Sequence, residues 1–247
     1  KARRSCNFHT HKTRVLLAGP RRITKGKYET TNSLYDKSRK GCRDIEGSSL
    51  RPNHMSSPLS PMGILEESLK GAPIIWKGDY PYFIHPISDG IPRMDPIVLK
   101  AVSTLIVDST DWEGVDVIAS VEAMGLPLLA AVGEATGIPT VVIRKRSYGM
   151  EGEVAVDVST GYSSSTIYIN DIAPGERIVI VDDVISTGGT LEPLLEKLEE
   201  MGVILRDIVI AIEKGEGRAR LNRERPEWPI RSLARIEIVD GQVQMAD

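Results

Sequence analysis

Apolar residues in this chain cluster into short blocks parted by turn residues, and sustained patterning begins only after Pro61. Ile64, Leu65 and Leu69 recur at the spacing of a short amphipathic helix. Tyr80 to Ile84 reads as a strand, followed by a turn at Ser88-Asp89-Gly90. Pro96 to Val107, with Ile97, Leu99, Val102, Leu105 and Ile106, predicts a helix. Val117-Ile118-Ala119 predicts a strand, Leu126 to Ala135 a helix stopped by Gly137, and Val141-Val142-Ile143 a further strand. Ile178-Val179-Ile180-Val181 is apolar on both faces, which suits a sheet covered on both sides. Leu191, Leu194, Leu195, Leu198 and Met201 mark one face of the next helix, and Ile208 to Ile212 another strand. Ile236 to Val239 and Gln242-Val243 flank Asp240-Gly241, which predicts a hairpin with a type I′ turn. The alternation of strands and helices predicts an α/β domain with a central parallel sheet and right-handed crossovers.

Residues 1–61 show no such periodicity. Their compact apolar run is Val15 to Ala18, and they end in Ser56-Ser57-Pro58-Leu59-Ser60-Pro61, which is linker chemistry. Such a segment buries too little apolar surface to offset its ordering entropy. The expected organisation is therefore a low-structure extension, 1–61, before a folded domain, 62–247. Charge sharpens the division. Residues 1–61 hold 14 of the 31 Lys+Arg and 4 of the 34 Asp+Glu, a balance of +10 against −13 for the rest. A basic arm opens two functional readings, nucleic-acid binding and an organelle leader. Cys6, His9, His11 and Cys42 lack zinc-site spacing. The chain starts at Lys1, with Met55 and Met62 as alternative starts, so the arm is also read as a segment foreign to the native protein.

Composition is ordinary for a soluble protein, with 41% hydrophobic and 26% charged residues. No apolar run nears the roughly 20 residues of a membrane span. Both cysteines lie in the arm, so no disulfide framework holds the core, and a cytoplasmic location is expected.

Chemistry concentrates in Val179 to Thr190. A buried strand runs into two adjacent carboxylates, Asp182 and Asp183, and a loop, Ser186-Thr187-Gly188-Gly189-Thr190, leads into a helix. Ligands of open parallel sheets sit beyond the carboxyl ends of the strands. Gly188 and Gly189 let the backbone curl close to an anion, and loop and helix N–H groups then face it. Ser186, Thr187 and Thr190 add hydroxyls. Like charge keeps Asp182 and Asp183 from a phosphate; they suit hydroxyl donors or a magnesium shell. A phosphate beside a pair of hydroxyls describes a ribose phosphate. A Walker A loop is excluded, since no Gly-Lys-Ser/Thr occurs here.

Residues 178–190 resemble the motif with which type I phosphoribosyltransferases bind phosphoribosyl pyrophosphate (PRPP). Ala119 to Gly125, Val142 to Arg146, Ser147 to Val154 and Tyr82 to Gly90 are similar to the archaeal hypoxanthine/guanine branch, whose architecture is close to that of adenine phosphoribosyltransferases. The resemblance covers 62–247. It implies a central parallel sheet with flanking helices and a small hood. Asp182 and Asp183 would meet the ribose and magnesium, and Ser186 to Thr190 the 5-phosphate. Glu122, Ala123, Met124 and Gly125 resemble the pyrophosphate loop. Arg144, Lys145 and Arg146 would meet the diphosphate oxygens. Alternation places Arg144 and Arg146 on one face, and the resemblance favours Lys145 for the substrate side. Ser147 to Ser165 reads as a long loop and resembles the mobile catalytic flap, with Tyr148, Glu151, Glu153, Asp157 and Tyr162 as candidates. Gly161-Tyr162 stands where adenine enzymes carry Glu-Tyr, which leaves any general base open. Tyr80, Tyr82, Phe83 and His85 are candidates for the base pocket. Glu213 and Lys214 follow a strand, and Lys214 would donate to a 6-oxo group.

The resemblance implies a magnesium-dependent enzyme making IMP, and GMP, from PRPP and a purine base, as a homodimer. Adenine is the competing acceptor. A PRPP-sensing transcriptional regulator is the reading from another class, but residues 1–61 lack the helical periodicity of a helix-turn-helix, so a nucleic-acid partner is not expected.

Overall fold

The computed structural model describes residues 59–246 except Asp79, Gly161 and Tyr162. The basic arm, Cys6, His9, His11, Cys42 and Tyr162 lie outside the described residues.

The elements follow from capping and burial. Helix α1 (Pro61–Leu69) starts where Ser60 Oγ accepts from Gly63 N, and it buries Leu65 and Leu69. Strands β1 (Ile74–Lys77) and β2 (Tyr80–Phe83) form an antiparallel hairpin, the hood. Ser88 to Gly90, expected as a turn, belongs to the one-turn helix α2 (Pro86–Asp89), closed by Gly90 at φ +67°. Helix α3 (Pro96–Ser109) is capped by Asp95 and has proline in its first turn, where a missing N–H costs nothing.

Then follow β3 (Val117–Val121), α4 (Gly125–Thr136), β4 (Thr140–Ile143), β5 (Val154–Thr160) and β6 (Ser163–Ile169). The remaining elements are β7 (Arg177–Ile185), α5 (Leu191–Glu200), β8 (Ile204–Lys214), α6 (Gly217–Glu224), β9 (Ile230–Val239) and β10 (Gln242–Ala246).

The main sheet has the order β10-β9-β8-β7-β3-β4, parallel except for β10. Asp240 and Gly241 both have positive φ, 50° and 72°, as the type I′ turn before β10 requires. Ile178 and Ile180 pack into one core layer with α5, and Val179 and Val181 into the other with α1, α3 and α4. All four are 0% exposed, each burial stabilising by about 1.5–3 kcal/mol. The sheet is thus covered on both sides, as its apolar run required.

Three expectations are corrected. Ser147 to Ser165 is not a structureless loop, because β5 and β6 pair as a hairpin from Val154 onward. Val156, Val158, Ile167 and Ile169 turn inward, and the Ser and Thr residues between them hide the two-residue period. Second, β7 does not end before the acids. The neighbouring β8 runs on to Lys214, so the ladder carries Asp182 opposite Ile210 and continues to Ile185 opposite Glu213. Third, α6 went unforeseen, because its buried residues are Gly217 and Leu221 and make no apolar stripe. Among the described residues, no helix is long and apolar enough to cross a membrane.

Candidate active site

The chain leaves β3 through α4 toward β4 on one side, and leaves β7 through α5 toward β8 on the other. The crevice between the carboxyl ends of β3 and β7 is therefore the topological switch point, where open α/β sheets bind ligands. Two loops meet there. A Cβ at Gly125 would lie 2.6 Å from Asp182 Oδ1 and 1.9 Å from Ser120 Oγ. Only glycine lets the start of α4 approach the carboxylate this closely.

Asp182 and Asp183 are half-buried, and the Asp183 N–H donates to Asp182 Oδ1 at 3.0 Å. Burial pushes the Asp182 carboxyl up to about 6, while the Lys145 ammonium acts against the rise. Burial, and then the charge of Asp182, lift Asp183 well above the ordinary carboxylate range. The two carboxylates are adjacent on β7. Among the described residues no cluster of three or more His, Cys, Asp or Glu surrounds them. Two hard oxygen donors fit a magnesium ion whose remaining ligands come from substrate and water.

The glycine loop follows. Gly188 takes φ +84°. A Cβ on Gly189 would stand 2.0 Å from Ser159 O, and Ser159 N donates to Gly189 O at 3.1 Å. The β5–β6 hairpin thus rests on this loop by main chain. Thr190 caps α5 without spending its hydroxyl on the helix. Gly189 N donates to Thr187 Oγ1 at 3.3 Å.

On the β3 side the Glu122–Ala123 peptide is cis, and Met124 precedes α4 with its Cε 3.4 Å from where a Gly90 Cβ would stand. The Glu122 carboxylate is engaged by Arg144 Nε and by the Lys145 N–H, both at 3.1 Å. Glu122 therefore anchors the cationic segment. Arg144 and Arg146 both lie over the Tyr148 ring, at 5.4 and 5.0 Å, beyond the end of β4 at Ile143. Arg146 Nη2 also donates to Tyr148 Oη at 2.9 Å.

On the flap, Glu153 accepts from Ser147 Oγ, Tyr148 N (2.9 Å) and Asn170 Nδ2 (3.0 Å). These bonds, the Ser147 one foremost, hold its carboxyl down at about 2, so it is a poor proton acceptor. Glu151 is exposed, and Asp157 accepts from Thr166 Oγ1 at 2.8 Å.

A cavity of about 360 Å³ joins the paired acids and the glycine loop to the hood, whereas Glu122 to Gly125, Arg144 to Arg146, Tyr148, Glu151 and Glu153 do not line it. Tyr82, Phe83, Lys214, both acids and Ser186 to Thr190 line it, together with Lys77 and Tyr80. Lys214 Nζ donates to Pro81 O and sits 3.8 Å above the Tyr80 ring. Tyr80 Oη and Ser186 Oγ are 3.1 Å apart. Tyr82 Oη donates to Asp89 Oδ1 at 2.9 Å.

Two expected base-pocket neighbours lie elsewhere. His85 is fully buried; its Nδ1 caps α2 by accepting from Ile87 N at 3.2 Å, and its Nε2 meets Ser68 Oγ at 3.1 Å. Burial lowers its imidazole to about 4, so it stays neutral and structural. Glu213 is 1% exposed and bonded to Arg218 and to Ser232 Oγ, away from any base.

A profile of the phosphoribosyl transferase domain matches residues 95–228, more than half of the chain. The chain belongs to this family. It is similar to the hypoxanthine/guanine phosphoribosyltransferase of Methanococcus maripaludis, with 47% identity over 182 residues, 74% of this chain and 97% of that one. The enzyme of the same name from Ferroglobus placidus is 48% identical over 183 residues, 74% of this chain and 96% of that one. Among solved structures, adenine phosphoribosyltransferase from Leishmania donovani superposes with a TM-score of 0.60 at 19% identity, covering 72% of this chain and 80% of that one. That likeness concerns the fold alone.

Proposed function

We propose that this protein transfers the phosphoribosyl group of PRPP to hypoxanthine and guanine, giving IMP and GMP with release of pyrophosphate. One observation carries the reading: Lys214, the paired acids and the glycine loop face a single cavity. Purine N9 attacks ribose C1, the bond from C1 to the diphosphate oxygen breaks with its electron pair leaving on the diphosphate, and the proton the purine loses passes to the released diphosphate. The 5-phosphate lies against the N–H groups and hydroxyls of Ser186 to Thr190, at the N-terminus of α5. Asp182 and Asp183 accept from the ribose hydroxyls. Lys145, and the segment from Glu122 to Gly125, face the diphosphate. Asp182 and Asp183 would hold a magnesium ion, which would supply charge neutralisation on the leaving group.

A 6-oxopurine offers an acceptor at position 6, and the Lys214 ammonium already donates to a carbonyl at this place. Adenine offers an amino group there, which would set donor against donor. The curated relatives of Methanococcus maripaludis and Ferroglobus placidus support the same acceptor class. The family resemblance adds a cytoplasmic homodimer to the proposal.

Incubating the full chain with PRPP, magnesium and a purine panel tests this. IMP and GMP are expected. AMP alone would move the acceptor to adenine, and no nucleotide from any base would overturn the reading.

A further inference from the structure

Helix α6 lies behind the glycine loop, outside the cavity. Gly217 N donates to Ser186 O at 2.8 Å, and a Cβ at Gly217 would meet that oxygen at 2.3 Å and the Thr187 carbonyl carbon at 2.6 Å. One turn on, Arg220 Nη2 donates to Thr187 O at 3.3 Å. Leu221 Cδ1 stands 3.0 Å from where a Cβ of Gly188 would be. Three successive loop residues are therefore held from one side. Donors on α6 draw the carbonyls of Ser186 and Thr187 outward, away from the anion that the loop is read to hold.

Arg220 has a second task. Its guanidinium forks onto Glu192, with Nη1 to Oε1 at 3.2 Å and Nη2 to Oε2 at 2.6 Å, and Nη1 reaches Glu224 at 2.6 Å. Glu192 stands in the first turn of α5, and its own N–H donates to Gly188 O at 2.9 Å. A carboxylate in that turn competes with a bound phosphate for the positive end of the helix. Arg220 cancels this competition where the phosphate must bind.

We propose that Arg220 is a positioning residue for the 5-phosphate: it turns the Thr187 carbonyl out of the site and neutralises Glu192 at the N-terminus of the phosphate-binding helix. The inference rests on the reading of Ser186 to Thr190 as the phosphate loop, and it goes beyond that reading because Arg220 touches no substrate. It also sets the two partners of one ion pair against each other. If the pair merely holds the fold, removing either partner does similar harm. If it tunes phosphate binding, the effects have opposite sign.

The experiment measures KM for PRPP, KM for hypoxanthine, kcat, the Kd of ribose 5-phosphate by calorimetry, and Tm. The variants are Arg220→Ala, Arg220→Lys, Glu192→Gln, the Arg220→Ala/Glu192→Gln double variant and, as a check on the loop itself, Thr190→Val. Arg220→Ala should raise PRPP KM and ribose 5-phosphate Kd about tenfold or more, the loss of a charge-assisted bond, while hypoxanthine KM stays within about twofold. Glu192→Gln should leave ribose 5-phosphate binding unchanged or tighter. The double variant should recover part of the loss, and Arg220→Lys should fall between, keeping the charge without the fork.

Equal weakening by Arg220→Ala and Glu192→Gln overturns the inference, as does unchanged ribose 5-phosphate binding in Arg220→Ala. If Arg220→Ala does not fold, Arg220→Lys against Glu192→Gln decides by the same opposition of sign. Should Thr190→Val leave ribose 5-phosphate binding untouched, the loop reading itself fails; should it weaken binding while the Arg220 variants do not, only the role of Arg220 fails.

Discussion

The two ends of the cavity are built differently. The end proposed for the phosphate is main chain: Gly189 meets the carbonyl of Ser159, Gly217 meets that of Ser186, and helix α5 starts at once. The base end is made of side chains reaching in from two separate stretches, with Lys214 over Tyr80 and Lys77 over Tyr82 at 3.8 and 3.9 Å. The hood beside it is open to solvent, with Trp76 63% and Tyr80 38% exposed. A phosphate is the same on every PRPP molecule, and in the proposed function fixed backbone donors meet it. In that proposal the acceptor is met instead by side chains, Lys214 from β8 and the aromatic residues of the hood hairpin. Tight main-chain packing therefore belongs where the ligand is constant.

The sharpest way to break this comparison is to put a side chain where the main chain leaves no room. Gly189→Val should lower kcat/KM for PRPP about a hundredfold or more by displacing loop or hairpin, as steady-state kinetics with saturating hypoxanthine would show. A residual activity near wild type would mean that the hairpin does not pack on the loop in the working enzyme.

Lys214→Ala tests the other end. It should lower kcat/KM for hypoxanthine about 30-fold, the value of a hydrogen bond from a charged donor, and leave the Kd of ribose 5-phosphate within about twofold. Equal losses in both measurements would erase the division between the ends.

The smallest effect concerns the support beneath the hood. Buried His85 is neutral in the fold, with its imidazole lowered from 6.5 to about 4. In the unfolded chain the imidazole takes up its proton first as pH falls. The stability it contributes is present above pH 6.5 and is lost progressively as pH drops toward 4. By pH 5 the loss should be about 2 kcal/mol. His85→Asn keeps an acceptor for Ile87 N and removes the titration, so urea unfolding of this variant between pH 7.5 and 5 should lack that decline.

The same contrast explains what could be read before the structure. A loop that binds phosphate by main chain needs glycines and hydroxyls side by side, so Ser186 to Thr190 stands in one string and was legible. Two-sided burial of Ile178 to Val181 was legible for a similar reason, since each residue states its own preference. The base end was less so. Lys214 finds Pro81 across 133 residues, and no local pattern shows that distance closing. His85 beside aromatic residues looked like a ligand group, whereas its partners, Ser68 and Ile87, make it a cap. The β5–β6 hairpin was hidden by serine and threonine, whose polarity masked an alternation that valine and isoleucine maintain. Arg220 was missed because α6 carries little apolar signal; a glycine three residues beyond a strand end, with an arginine three further on, is the trace it leaves.

The contact between Ser159 and Gly189 has a consequence for how this protein can drift over generations. A bond from one backbone to another does not read the side chain on the hairpin, so position 159 is free to wander as long as its strand survives. Position 189 has no such freedom, because any addition meets the carbonyl 2.0 Å away. Saturation mutagenesis of both positions would show broad tolerance at one and none at the other. The hairpin can thus be rewritten while the loop it rests on stays fixed.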